Sequence, residues 1–212
     1  MSDPVLDQLL ASGVIAVLRA REAKGLTEVA RALHDGGVQA LEITLTTPGA
    51  VAGIAELAQA EAGMLVGAGT VLDAAAARSV VDAGARFVVS PVLEPDVMRV
   101  CRDRNVPCIP GAFTPTEILA AWRAGAALVK LFPAAAVGPG FVRDVLAPLP
   151  FLRIVPSGGV TLDSVGDWIR AGAAAVSLGG ALLGAPVADL AARARSLVTA
   201  VRAARQSLER SS

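Results

Sequence analysis

At 212 residues the chain suits one compact domain and sits near the lower limit for an eight-stranded α/β barrel, which leaves little room for a second domain. It is 54% hydrophobic with a formal net charge of +0, so it can build a large core but offers no electrostatic footprint for nucleic acid or an acidic surface. Two cysteines are too few for a stapled secreted scaffold, and no charged segment followed by an apolar one opens the chain; a reducing cytoplasm is the expected compartment.

In chain order, Asp3-Pro4 caps a first helix carrying Leu6, Leu9 and Leu10, placed to close a barrel floor. The apolar run VIAVLRA follows, ending in Arg19, and then the polar stretch REAKG, where Lys24 is expected to be solvated. His34 lies in the helix tail ALHDGG, where it reads as a surface or capping residue. LEITLT is the second strand, LVGAGT with Thr70 the third, FVVSP the fourth and PCIPGA the fifth. Thr47-Pro48 and Asp73 offer simple helix caps, and Thr114-Pro115-Thr116-Glu117 combines an N-cap, a first-turn proline and a capping-box glutamate. ALVKLFP, RIVPSGG and AAVSLGG complete eight strands. Ala171 to Ala188 lacks charge and touches the length of a membrane helix, but four glycines, Ser177 and Pro186 break it into a strand, a loop and a helix start. From Asp189 onward Leu190, Ala194, Leu197, Val201 and Leu208 recur at helical spacing on a terminal helix.

Four segments repeat one pattern, a helix ending in glycine followed by an apolar strand, with Gly37, Gly84, Gly125 and Gly172 in the same place. Their spacing is about two β/α units, the mark of a fold with quarter-repeats. Strict alternation of eight strands with helices predicts a (β/α)8 TIM barrel rather than an open doubly wound sheet.

Active sites of such barrels gather at the carboxyl ends of the strands. Only two of the 19 Lys+Arg residues are lysines, Lys24 and Lys130, and Lys130 interrupts an apolar strand on the face shared by Leu128 and Phe132. Taking an ammonium out of water is costly and favours the neutral amine, the form a Schiff-base nucleophile needs. Glu42 is the second anomaly, a carboxylate with Thr44 and Thr46 on its face and Leu41, Ile43 and Leu45 on the other. It is placed to serve as a base, or the pair forms only a buried ion pair; both readings predict proximity. The turns Pro156-Ser157-Gly158-Gly159 and Leu178-Gly179-Gly180-Ala181 follow strands seven and eight, where these barrels cradle phosphate on backbone N–H groups. Arg19 and Thr70 end their strands and can hold a carboxylate, against the alternatives of a solvated arginine and a helix-capping threonine. One histidine and no clustered ligands argue against a metal-dependent aldolase, and no cofactor is called for.

Taken in order, LEITLTTPGA, VGAGTV, FVVSP, IPGAFTPTE, LVKLFPA and PSGGV resemble the 2-dehydro-3-deoxy-6-phosphogluconate (KDPG) aldolase family over nearly the whole chain. The resemblance implies a class I lyase that makes pyruvate and glyceraldehyde 3-phosphate, often with activity on 4-hydroxy-2-oxoglutarate, and a homotrimer. It further implies Lys130 as the Schiff-base lysine, Glu42 as proton acceptor, Thr70 as a pyruvate contact, Pro91 as a wall of the site, and Gly158, Gly159, Gly179 and Gly180 as the phosphate loops.

Two positions depart from the pattern. Thr46 stands where many members have arginine, so the carboxylate role passes to Arg19. Ala181 stands where a serine hydroxyl usually helps bind phosphate, leaving more of that task to backbone donors. Three readings compete: the aldolase, acting on the gluconate or on its C4 epimer, the 6-phosphogalactonate analogue; a phosphosugar isomerase or epimerase with Lys130 only electrostatic; and a phosphosugar-binding barrel without chemistry.

Overall fold

The computed structural model describes residues 3–21, 23, 25–60 and 63–210, so the expectation for Lys24 lies outside the described residues. Helix α1 (Pro4–Ser12) starts where the Asp3 side chain accepts the Val5 and Leu6 N–H groups. After it, strands and helices alternate: β1 (Val14–Leu18), α2 (Leu26–Asp35), β2 (Ala40–Thr44), α3 (Ala50–Gln59), β3 (Leu65–Gly69), α4 (Ala74–Asp82), β4 (Phe87–Val89) and α5 (Pro95–Asp103). The second half continues with β5 (Cys108–Ile109), β6 (Gly111–Ala112), α6 (Pro115–Arg123), β7 (Val129–Leu131), a 3₁₀ turn (Ala134–Ala136), α7 (Pro139–Leu146), β8 (Ile154–Pro156), α8 (Val165–Arg170), β9 (Val176–Leu178), α9 (Gly180–Leu183) and α10 (Val187–Glu209).

All strand pairs are parallel, in two sheets ordered β5-β4-β3-β2-β1-β9 and β6-β7-β8. A single bridge between Ser157 and Ser177 joins β8 to β9, and the ring they complete is the (β/α)8 barrel. The expected fifth strand is broken in two at Pro110, which has no N–H to give to the β7 side, where its carbonyl accepts from the Lys130 N–H. Before the break the strand pairs with β4, and after it with β7.

Alternation along each strand sorts the core into two layers. Leu41, Ile43, Val88, Val129 and Ile154 face outward against helix residues such as Leu33, Ile54, Val80 and Ile118. Ile15, Ala40, Leu65, Phe87, Ile109, Leu128, Val155 and Ala175 face inward and form a separate cluster with Val5 and Leu9 of α1. Gly37, Gly84, Gly125 and Gly172 each lie just past a helix end at φ between 89° and 101°, the left-handed geometry that stops a helix and releases the next strand.

Asp73 caps α4 by accepting the Ala76 N–H, and the Thr114–Glu117 capping box of α6 is complete. Thr47 does not cap α3: the helix begins at Ala50 after Gly49, and the Thr47 hydroxyl is turned inward, where it accepts the Ala20 N–H. The buried stripe of α10 runs through Leu190, Ala194, Leu197, Val198, Val201 and Ala204 and stops short of Leu208, which is exposed because the helix outruns the surface it lies on. His34 is exposed in the last turn of α2. Among the described residues no helix is long and apolar enough to cross a membrane.

Candidate active site

A cavity of about 730 Å³ opens at the carboxyl ends of the strands, and Arg19, Glu42, Thr70, Pro91, Lys130, Gly158, Gly159, Gly179 and Gly180 all line it. No other strand carries a lysine among the described residues, and β7 points this one inward: Leu128 below it belongs to the inner cluster, whereas Val129 and Leu131 face the helices. Lys130 is 8% exposed, and its Nζ lies 5.1 Å from the centre of the Phe132 ring. Phe132 stands just past the strand end, exposed at the cavity wall.

Glu42 projects inward from β2, 1% exposed, and its Oε1 has no hydrogen-bond partner among the described residues. Burial pushes its carboxyl above the ordinary glutamate value, and the charges of Lys130 and Arg19 pull it back only in part. Its room comes from Gly69 on the neighbouring strand, where any Cβ would overlap the carboxylate. Among the described residues Lys130 and Glu42 make no salt bridge, although the Lys130 charge reaches the Glu42 carboxyl. A buried carboxylate and a buried amine that share one cavity without a salt bridge are costly to the fold and available to a ligand.

Thr70 adopts φ 60°, a conformation that costs a β-branched residue about 1–3 kcal/mol and is found where the surroundings impose it. Its capping alternative falls away, because Asp73 caps α4. Pro91 is held by close approach: its carbonyl occupies the space a side chain at Gly111 would need. Arg19 is exposed at the mouth and makes no ion pair among the described residues, which leaves its guanidinium free toward the cavity.

Gly158 and Gly159 both have positive φ, 80° and 90°. Their turn is anchored from behind, where Ala134 and Ala135 donate to the carbonyls of Ser157 and Gly158 at 2.8 Å. With the carbonyls engaged, the N–H groups of Gly158, Gly159 and Gly179 make no hydrogen bond among the described residues and remain available to an anion. Ala181 lines the same end of the cavity without a hydroxyl. Thr46 is exposed and absent from the lining, because β2 ends at Thr44 and the chain turns away; its hydroxyl pairs with that of Thr44 at 3.0 Å.

The cavity also holds Thr44, Ser157, Thr161 and Ser177, which the motifs did not single out. A signal existed for three of them: Thr44 shares the face of Glu42. Ser177 and Ser157 share strand parity with inward residues two positions below, Ala175 and Val155. Among the described residues no three His, Cys, Asp or Glu side chains cluster as metal ligands.

Residues 5–194 match the family described as KDPG and KHG aldolase. A protein of Rhizobium meliloti described as a probable 2-dehydro-3-deoxy-6-phosphogalactonate aldolase is 39% identical over 80% of this chain and 81% of its own. The 2-dehydro-3-deoxy-phosphogluconate aldolase of Treponema pallidum is 38% identical over 89% of each chain. Among solved structures, the KDPG aldolase of Legionella pneumophila, with pyruvate captured as a covalent carbinolamine, is similar with a TM-score of 0.79 at 28% identity over 94% of this chain and 98% of its own. The chain belongs to the KDPG and KHG aldolase family, carbon–carbon lyases built on this barrel.

Proposed function

We propose that the chain is a class I aldolase that cleaves 2-dehydro-3-deoxy-6-phosphogluconate to pyruvate and glyceraldehyde 3-phosphate, and 4-hydroxy-2-oxoglutarate by the same chemistry. The observation that carries this reading is a buried amine, Lys130, sharing its cavity with a buried carboxylate, Glu42, whose Oε1 has no hydrogen-bond partner among the described residues. The Lys130 Nζ attacks the C2 ketone, giving a carbinolamine that loses water to form the imine. Glu42 takes the proton from the C4 hydroxyl, the C3–C4 bond breaks, and the protonated imine accepts its electrons as an enamine. The aldehyde leaves, Glu42 returns the proton to C3, and water releases pyruvate from Lys130. The covalent pyruvate species of the Legionella pneumophila relative supports this order.

In this scheme Arg19 and the Thr70 hydroxyl hold the substrate carboxylate, Pro91 walls the site, and the N–H groups of Gly158, Gly159, Gly179 and Gly180 take the phosphate. No metal or other cofactor enters any step. The chain works as a single barrel domain with α1 as its floor, as a homotrimer in the cytoplasm.

The test is borohydride reduction in the presence of pyruvate. One stable adduct on Lys130 is expected, lost in a folded Lys130→Ala variant; an adduct on Lys24, or none, overturns the assignment and favours an isomerase in which Lys130 is only electrostatic. A second reading, the C4 epimer as substrate, is favoured by the Rhizobium meliloti relative. Turnover of the two epimers side by side separates them.

A further inference from the structure

The chemistry above leaves a buried, unpartnered hydroxyl of the cavity unused. Ser177, midway along β9, is 4% exposed, and its Oγ has no hydrogen-bond partner among the described residues. An unpaired buried hydroxyl costs the fold about 1–3 kcal/mol. Strand parity aims it inward, since Ala175 belongs to the inner cluster while Val176 and Leu178 pack outward, and it lines the same cavity as Lys130 and Glu42.

Its surroundings say what it faces. Across the one bridge between β8 and β9 its partner is Ser157, also buried and also at the cavity wall. The two serines stand directly beneath the glycine turns, Ser157 preceding Gly158 and Ser177 two residues before Gly179. On the other side, Lys130 is the register partner of Val155, two residues below Ser157 on the same inward face. A molecule reaching from the Lys130 amine to the glycine turns therefore passes this pair of hydroxyls. At the two ends of that path lie charged or anion-seeking groups, whereas a serine hydroxyl both donates and accepts and so suits a neutral alcohol.

Resting on the aldolase reading, we infer that Ser177 determines specificity: its hydroxyl binds the substrate hydroxyl on the carbon next to the phosphate-bearing one. A site that leaves a buried polar group unpaired discriminates against an analogue lacking the matching hydroxyl, which an apolar wall cannot do.

The experiment runs the reaction in the direction of addition, with pyruvate as donor and two acceptors, glyceraldehyde 3-phosphate and 3-oxopropyl phosphate, which lacks only that hydroxyl. In the wild type kcat/KM is expected to favour the hydroxylated acceptor by at least about tenfold. Ser177→Ala is expected to lose at least about tenfold on glyceraldehyde 3-phosphate and stay within about twofold on the deoxy acceptor. Exchange of the pyruvate methyl protons with deuterium, which needs Lys130 and no acceptor, should continue at the wild-type rate. Indifference of the wild type to the missing hydroxyl overturns the inference without need of any variant. So do equal losses on both acceptors, the mark of a merely structural serine, and an unchanged preference. Absence of deuterium exchange in the wild type overturns the aldolase reading itself and this inference with it.

Discussion

A carboxyl group held above the ordinary glutamate range inside a barrel makes activity and stability depend on pH in opposite senses. As a base Glu42 must be ionised, so kcat/KM is expected to fall as pH drops through a value above 4.5, the ordinary position for this side chain. Stability runs the other way. The fold favours the neutral form, so that contribution is fully present below the unfolded value and is lost as pH rises through the folded one. Glu42→Gln, which keeps the neutral shape, should therefore gain in melting temperature over the wild type more at pH 8 than at pH 4.5. The same variant should lose turnover by at least about a hundredfold and lose the acid limb of the profile. A melting-temperature gap that does not widen with pH would show that Glu42 is not strained by its surroundings.

At the scale of elements, the caps are where sequence and structure agree most closely, because a cap is a local arrangement of a few residues. The Glu117 carboxylate accepts from the Phe113 and Thr114 N–H groups at 2.8 Å while the Thr114 hydroxyl accepts from Glu117. Thr114→Ala is expected to cost about 0.5–2 kcal/mol in denaturant unfolding and to leave KM unchanged, since α6 holds its place by Ile118 and Ala121 as well. Lys130 and Glu42 were legible for a related reason: a charge within an apolar strand stands out against its neighbours. Ser157 and Ser177 were not, because serine is at home in turns and strands alike and only the inward parity distinguishes them. Thr47 reads as a cap beside Pro48, yet the turn runs on to Gly49 and sends its hydroxyl to Ala20, a partner in another β/α unit. Pro110 marks in the sequence where the fifth strand breaks, whereas the change of partner there from β4 to β7 depends on neighbours distant in the chain.

For the whole molecule, three successive loops at the carboxyl end each expose an apolar side chain: Leu72 after β3 at 51%, Val92 after β4 at 47% and Phe113 after β6 at 36%. Exposed apolar groups on neighbouring loops of one barrel end support the proposed homotrimer. Sedimentation equilibrium is expected to give three times the 21.4 kDa chain mass, and Leu72→Asp to shift it toward a single chain. A monomeric wild type would remove the trimer. The two-sheet construction reaches further than assembly. Lys130 rides on the three-stranded panel and Glu42 on the six-stranded one, and the panels are joined at the proline step and, on the other side, by the Ser157–Ser177 bridge and the hydrogen bond from the Ala174 N–H to the Ile154 carbonyl. The gap between nucleophile and base is thus set across two seams, so slippage there can widen or narrow it while every ladder within a panel stays intact.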